Sequence, residues 1–300
     1  MIVSIIILTH NRQKKLKQCI QSVLQNTYKN IEIVIIDQSY NKTLTKKTIT
    51  LFNNAKINYY PQKCCNVSKG KNLGITKIHG DIIAFTDDDC IVHHLWIQEI
   101  VSFYKKNKEI DCMFGKTLPY NNKTHYNQFC PSTFTKKKYV EIHTPKIHWK
   151  SIGIGNNMSF RSTIFLNSSQ FKEWLGYGTF GGPSEDAEIT LRLLIQKHNL
   201  VYNPKAIVYH NNWLANTTKT KLQSNYFCAN IVCYGYFSFQ KYSFAYPVVK
   251  NEIKNYIFYT HNSTGFKKYI FVLLYIFPRT TIVICKLLFA LYYSFFDPIK

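Results

Sequence analysis

Carboxylates are scarce in this sequence. Its 300 residues include 38 Lys and Arg but only 16 Asp and Glu, which gives a formal net charge of +22. A charge of this sign favours anionic partners, such as nucleic acid, an anionic membrane surface or phosphorylated small molecules. A basic surface that merely keeps the chain in solution is the simpler alternative. Apolar residues make up 46% of the chain, which excludes an intrinsically disordered protein.

Paired cysteines are also missing. The nine cysteines form no C-x-x-C pair, and their number is odd. Both features argue against a disulfide framework or a structural zinc site, and they favour a reducing compartment such as the cytoplasm. The first residues, MIVSIIILTHNR, lack a basic leader and contain only a short apolar run. We therefore expect a buried strand here and no signal peptide.

The sequence has no unbroken apolar run of membrane-spanning length. The stretch 269–296 is apolar over most of its 28 residues, but the segment 278–281 (PRTT) and Lys286 interrupt it. Each uninterrupted half is too short to cross a bilayer easily. We therefore expect an interfacial helical hairpin beside a membrane. A kinked spanning helix and a buried segment of a soluble core are the alternatives.

Apolar runs alternate with helical patterns over the first part of the chain. Residues 3–8, 31–37 and 81–87 are largely apolar runs that are rich in β-branched residues, as in strands that are buried on both faces. Residues 14–26 carry apolar side chains at helical spacing, and residues 68–80 indicate a second helix. This order predicts an α/β fold, with a mainly parallel Rossmann-like sheet flanked by helices.

Three consecutive acids, Asp87, Asp88 and Asp89, end the third apolar run. Parallel strands bring their carboxyl ends to one edge of a sheet, where ligands bind, so we expect the triplet near the polar strand ends at 9–12 and 37–39. Side chains alternate along a strand, which predicts that Asp87 and Asp89 face one way and Asp88 the other. Two convergent carboxylates favour a hard cation such as Mg²⁺ or Mn²⁺. A polar turn or an acidic helix cap is the alternative.

Two features nearer the C-terminus can also carry chemistry. Glu185 and Asp186 follow a Gly-rich segment and precede a helical pattern. A carboxylate at this position can act as a general base, or the two acids simply favour a helix N-terminus. His210 ends a strand pattern at 200–210, where it is either a metal ligand or a structural residue.

Taken in order, these motifs resemble those of family 2 glycosyltransferases with the GT-A fold, over roughly residues 2–212. VSIIILTHNR resembles the opening strand and nucleotide loop of that family, and IEIVIIDQS resembles its second strand. KGKNLGITKIHGDIIAFTDDDC resembles the segment that leads to the metal-binding D-x-D element. GIGNNMSFRSTIF resembles the acceptor-side strand and turn. GYGTFGGPSEDAEITLRLL resembles the Gly-rich loop with the catalytic E-D element. AIVYH resembles the late strand with the metal-binding His that many members have.

The resemblance implies an inverting, metal-dependent transfer of sugar from a nucleotide-diphosphate sugar, with a UDP-sugar as the first expectation. Asp186 is the implied base that deprotonates the acceptor hydroxyl, and Glu185 supports it, although the resemblance leaves open which of the two acids is the base. Mn²⁺ or Mg²⁺ is the implied cofactor, with Asp87, Asp89 and His210 as its ligands. The implied donor-binding residues are Thr9, Asn11, Arg12, Asp37, Lys71, Asp87 and Asp88.

The resemblance, together with the change in composition after about residue 215, predicts a division into domains. Residues 1–214 are expected to form the GT-A domain, with a nucleotide-binding half (1–90) and an acceptor half (91–214). Residues 215–300 are expected to be helical and membrane-associating. The expected acceptor is a saccharide or a lipid-linked molecule used in polysaccharide biosynthesis. The expected location is the cytoplasmic face of a membrane with an anionic surface, and nucleic acid is not an expected partner.

Three dipeptides depart from the pattern that many members of the family show. Leu8-Thr9 stands where many have Pro-Thr, Asp37-Gln38 where many have Asp-Asp, and Lys71-Asn72 where many have Arg-Asn. These departures concern the donor site. Two other functions remain as alternatives: a Mg²⁺-dependent nucleotidyltransferase, and a non-catalytic basic module that binds membranes or nucleic acid.

Overall fold

The structure is a computed structural model that describes residues 1–121, 127–146, 151–167, 170–258 and 277–299. Its strands are β1 (Val3–Thr9), β2 (Ile31–Asp37), β3 (Ile57–Pro61), β4 (Ile82–Asp87), β5 (Cys90–Val92), β6 (Cys112–Pro119), β7 (Gln128–Phe129), β8 (Val140–Ile142), β9 (Met158–Arg161), β10 (Leu200–His210) and β11 (Leu214–Ala215). Nine of them form one sheet, in the order β3-β2-β1-β4-β9-β6-β10-β5, with β8 paired to β10. β7 and β11 pair separately.

The first four strands of this order are parallel. β1 lies between β2 and β4, and its register sets Thr9 opposite Asp37 and Leu8 opposite Asp87. Successive side chains of β1 enter different apolar clusters, with Ile5 in one and Ile6 in the other. Both faces are therefore buried, which explains why these strands are largely apolar and do not alternate with polar residues. The α/β fold class with a largely parallel sheet is confirmed.

Helices cover the sheet and fill the connections. They are α1 (Gln13–Leu24), α2 (Lys42–Thr50), α3 (Val67–Ile75) and α4 (Trp96–Lys106). The sequence patterns did not predict α2 or β3. In α2 only Thr45 and Ile49 are buried, and β3 is a half-exposed edge strand, so neither element carries a clear apolar period.

The second half of the sheet mixes directions. β9 is antiparallel to both β4 and β6, whereas β6 and β10 are parallel. β5 and β8 pair antiparallel with opposite ends of β10. The β5–β10 pairing sets His210 opposite Cys90. A residue at the end of β10 is thereby brought to the acidic turn that follows β4.

The Asn157 side chain links β6, β10 and helix α4 by hydrogen bonds. Its amide nitrogen donates to the carbonyls of Lys116 (2.8 Å) and Ala206 (3.0 Å), and its oxygen accepts a hydrogen bond from the Trp96 indole at 2.9 Å. Asn157 is 2% exposed. Water therefore cannot replace these bonds if the side chain is removed.

We expect Asn157→Ala to lower the free energy of unfolding by about 3 kcal/mol, because each polar group left unsatisfied in the interior costs about 1–3 kcal/mol. Urea denaturation followed by circular dichroism measures this change. Gln21→Ala, at an exposed site on α1, should stay within about 0.5 kcal/mol of the wild type. Equal stability of the two variants would contradict the structural role of Asn157.

The chain forms two compact units. The first comprises Met1–Glu173 and Ile189–Asn216, and the second comprises Trp174–Glu188 and Thr217–Lys300. The second unit contains α6 (Lys219–Phe239), α7 (Ala245–Phe258), α8 (Phe277–Phe296) and the first turn of α5 (Glu185–Ile195). The Gly-rich segment before α5 is thus grouped with the C-terminal helices. A domain division at residue 214 remains a prediction.

Helix α8 contains the second part of the apolar stretch 269–296. The segment PRTT does not interrupt the helix but begins it: Pro278 is its second residue, where the missing N–H costs nothing. Residues 269–276 lie outside the described residues, so the expected hairpin remains a prediction. By length and composition Arg279–Phe296 could cross a membrane, with a mean hydropathy of 1.3. Buried helices of soluble proteins can meet the same criterion.

Candidate functional site

The polar ends of β1, β2 and β4 meet at one edge of the sheet, as the parallel arrangement predicts. β4 ends at Asp87, and Asp88 and Asp89 form a turn before β5. Asp88 and Asp89 are each 3% exposed, whereas the Asp87 side chain is exposed. The edge of the sheet therefore holds three adjacent carboxylates, two of them buried.

Asp88 is not among the residues whose ligand atoms cluster with those of Asp87 and Asp89. The Thr9 hydroxyl donates to Asp88 at 2.7 Å, and the Arg12 guanidinium lies 3.2 Å from Asp88 and 2.8 Å from Asp89. The convergence of Asp87 and Asp89 agrees with strand alternation, and Asp88 contacts Thr9 and Arg12 instead. Arg12 consequently joins Asp88 and Asp89 in one ionic group, and its own side chain is half-exposed.

His210 reaches the same group from β10. Its Nδ1 lies 2.7 Å from the Pro131 carbonyl, which can only accept, so the proton of the neutral ring is on Nδ1. Nε2 then faces Asp89 Oδ1 at 3.3 Å. A backbone carbonyl that fixes the tautomer in this way is the usual outer partner of a metal-binding histidine.

The donor set fits a divalent cation. Asp89 Oδ1 is buried and accepts no hydrogen bond from the part of the chain that the structure describes. One ligand atom from each of Asp87, Asp89, Cys90 and His210 lies within 4.8 Å of the others. Carboxylate and imidazole donors suit Mn²⁺ and, with water, Mg²⁺. Sequence reasoning missed Cys90; its position directly after the three acids was the one visible signal, and its pairing opposite His210 comes from the structure.

Charges in the group act strongly on one another. Burial raises the pKa of Asp88 to about 7, and the neighbouring Asp89 adds to the rise. Burial also opposes ionisation of Asp89, but His210 and Arg12 outweigh it and lower the pKa of Asp89. The same pairing overcomes burial and raises the pKa of His210 to about 10. A positive species, either a proton or a metal ion, is therefore favoured between Asp89 and His210.

Asp37 lies in a separate, fully paired group. It is 0% exposed, and its two oxygens accept hydrogen bonds from the Ser39 amide (2.8 Å) and the Tyr59 hydroxyl (2.7 Å). Asn11 holds the same loop in place. Its backbone amide donates to the Ser39 hydroxyl at 2.7 Å, and its side-chain oxygen accepts a hydrogen bond from the Tyr40 backbone amide at 3.0 Å. Both residues therefore shape the loop after β2, and direct contact with a donor remains a prediction.

Lys71 is buried, while its neighbour Lys69 is exposed. The Lys71 ammonium lies 4.9 Å from the centre of the Phe171 ring, and the residue is 5% exposed. Lys69 lies 3.8 Å from Glu173. Gly70, between them, is close to β1, because an added Cβ would lie 2.6 Å from the Leu8 side chain. Lys69 is therefore a solvent-exposed lysine, whereas Lys71 is buried against an aromatic ring.

Glu185 and Asp186 open helix α5, in its first turn. Glu185 is 7% exposed, and Asp186 is half-exposed. Asp186 Oδ1 accepts a hydrogen bond from the Ala187 amide at 2.8 Å. The two acids belong to the second unit, whereas the acidic triplet and His210 belong to the first.

Comparison with known sequences relates this chain to a glycosyltransferase family and to individual glycosyltransferases. The model of the family described as Glycosyl transferase family 2 matches residues 4–166, more than half of the chain. The glucosyl-dolichyl phosphate glucuronosyltransferase of Haloferax volcanii is 24% identical, covering 69% of this chain and 68% of its own. Uncharacterised glycosyltransferases of Rickettsia match at 29–33% identity, but the matched region spans only 16–55% of their length.

Solved structures with the same fold also carry nucleotide sugars. Staphylococcus aureus TarS (residues 1–349) in complex with UDP-GlcNAc superposes with a TM-score of 0.60 at 13% identity, covering 100% of this chain and 88% of that one. The mannosyltransferase PcManGT of Pyrobaculum calidifontis, in complex with GDP-Man and Mn²⁺, has a TM-score of 0.58 at 11% identity, covering 98% and 87%. At these identities the likeness shows a shared GT-A fold.

Proposed function

Because this chain belongs to glycosyl transferase family 2, we propose that it is a metal-dependent, inverting glycosyltransferase. It moves a sugar from a nucleotide-diphosphate sugar, with a UDP-sugar as the first donor to test, to a hydroxyl of a saccharide or lipid-linked acceptor. The observation that carries the proposal is the pair of Asp89 Oδ1 and His210 Nε2, which face each other at 3.3 Å at the edge of the sheet.

Asp89 and His210 would hold the cation, together with the exposed carboxylate of Asp87. When bound, Mn²⁺ or Mg²⁺ supplies positive charge that stabilises the leaving nucleoside diphosphate. Arg12 already lies on Asp88 and Asp89, so its charge is next to this position. The site therefore concentrates cationic groups around buried carboxylates, as a diphosphate-binding site requires.

The proposed donor contacts come from the resemblance, and the contacts of these residues in the structure support them. Arg12 and Lys71 are the basic side chains of the donor site, and Thr9 and Asp88 bind each other beneath it. Asn11 and Asp37 hold the loop after β2 that would surround the nucleoside. Their contribution is to position backbone atoms of that loop, since both side chains already make hydrogen bonds within the protein.

Asp186 is the proposed base. It would take the proton from the acceptor hydroxyl, which then attacks the anomeric carbon in one step and inverts its configuration. The greater exposure of Asp186 relative to Glu185 favours this assignment. Glu185 would support Asp186 or contact the acceptor.

A lipid-linked acceptor fits the chemistry of the chain. The Haloferax volcanii relative is a glucosyl-dolichyl phosphate glucuronosyltransferase. The net charge of +22 favours anionic substrates and an anionic membrane surface. We place the enzyme peripherally on the cytoplasmic face of a membrane, in the assembly of a polysaccharide.

A screen of nucleotide sugars by thermal shift tests the proposed function. One class of nucleotide sugar is expected to raise the melting temperature by a few degrees in the presence of Mn²⁺, since a ligand at 100 times its Kd stabilises by about 2.7 kcal/mol. The same sugar with EDTA should give a much smaller shift. The proposal fails if no nucleotide sugar stabilises the protein, or if stabilisation is equal with EDTA.

A further inference from the structure

Helix α8 has an exposed outer face that is mainly apolar. Its residues recur at helical spacing on one side of the helix, and they are 41% to 74% exposed. The rest of the face includes Thr281 and Cys285, which are also exposed. No charged residue lies on this face. The outer face consists of Ile282, Ile284, Leu288, Tyr292, Phe295 and Phe296.

The opposite side of α8 is held by the protein itself. Tyr293 stacks on Trp174 with ring centres 4.6 Å apart, and the Trp174 indole donates to Asp297 at 2.9 Å. The Lys286 ammonium donates to the Phe180 carbonyl and lies over the Phe180 ring. Lys286, a charged residue within the apolar helix, therefore points inward. A helix with one face packed on protein and one apolar face towards solvent is typical of interfacial attachment.

We propose that the outer face of α8 docks on an anionic lipid bilayer. The charge of the surrounding sequence is complementary to such a surface: in residues 217–300 the only acids are Glu252 and Asp297, among many lysines. Exposed lysines lie on α6 (Lys219 and Lys221) and on α7 (Lys250 and Lys254). An apolar face inserts among lipid chains, and lysines near a bilayer bind anionic head groups. A second protein copy would not require this excess of positive charge.

Docking by α8 also bears on the proposed sugar transfer, and this consequence rests on the proposed function. The inner side of α8 contacts Trp174, just before the Gly-rich segment that leads to Glu185 and Asp186, and Phe180, within that segment. The helix that docks is therefore the helix that holds this segment. An acceptor carried by a lipid would reach the two acids from the bilayer surface.

Vesicle co-sedimentation with the full chain tests the docking surface. The triple variant Ile284→Ser, Leu288→Ser, Phe295→Ser should lose at least about 10-fold in apparent affinity for vesicles of phosphatidylglycerol and phosphatidylcholine, because it removes apolar area that enters the lipid. The matched control Leu44→Ser, Leu51→Ser, Leu166→Ser replaces exposed leucines of the first unit and should bind vesicles like the wild type. Trp174→Phe changes a residue on the inner side of α8, so this variant should also bind vesicles like the wild type.

Several outcomes would overturn the proposal. They are failure of the wild type to bind these vesicles, equal binding by the outer-face variant, and a dimer in light scattering that dissociates in that variant without any vesicle binding. Melting curves confirm that the variants are folded. Vesicle binding requires neither metal nor donor, so Asp89→Asn should still bind. A chain that binds vesicles but transfers no sugar would refute the proposed function and leave the docking surface intact.

Discussion

Asp89→Asn is expected to abolish sugar transfer and to weaken Mn²⁺ binding by more than about 100-fold. Loss of an outer-shell partner already costs about 10–100-fold in metal affinity, and Asp89 is a direct ligand in the proposed site. The substitution preserves shape but removes the charge that faces His210 and Arg12. Isothermal titration with Mn²⁺ and a transfer assay measure the two effects.

Asp81→Asn is the matched control for this variant. The Asp81 carboxylate is 61% exposed, near the N-terminal ammonium, and its loss should leave both Mn²⁺ binding and transfer unchanged. Melting curves separate a folding defect from a binding defect. Normal metal-dependent transfer by a folded Asp89→Asn protein would show that the acidic turn is structural only.

Asp186→Asn is expected to lower kcat by about 10²–10⁴-fold, the usual contribution of a general base. The donor is bound by the first unit in our account, so its Kd and its metal dependence should stay near the wild-type values. Asparagine remains suitable at a helix N-terminus, and the lost interaction with the helix dipole costs only about 0.3–1 kcal/mol. Steady-state kinetics combined with donor titration separate these effects.

Glu185→Gln gives the comparison that assigns the base. Glu185 is buried at 7% exposure, so we expect a smaller loss of kcat and a larger loss of stability than in Asp186→Asn. If Asp186→Asn retains near-normal turnover while Glu185→Gln is inactive, the roles of the two acids are exchanged. Normal turnover in both variants would remove the E-D element from the mechanism.

The parallel core was predictable from the sequence because its strands are buried on both faces. Continuous runs such as 31–37 follow directly from that burial, and the order of elements then sets which strand ends meet. The predicted proximity of Asp87, Asp89 and His210 is confirmed by the geometry. Their roles in binding metal and donor remain predictions that the experiments above test.

Features that depend on turns and distant carbonyls were not predictable. The contact of Asp88 with Arg12 depends on the turn after β4, and the tautomer of His210 depends on the Pro131 carbonyl, 79 positions away in the chain. Helix α2 contains mostly Lys and Thr, so its apolar period is too weak to detect. The inward direction of Lys286 depends on Phe180, which lies 106 positions earlier.

The most direct test of the metal-dependent transfer is a titration of nucleoside diphosphate into the wild-type protein, with Mn²⁺ and then with EDTA. Our account predicts tight binding with Mn²⁺, at least about 10-fold weaker binding with EDTA, and no effect of Mn²⁺ in Asp89→Asn. Equal binding of the nucleotide in all three conditions would contradict it.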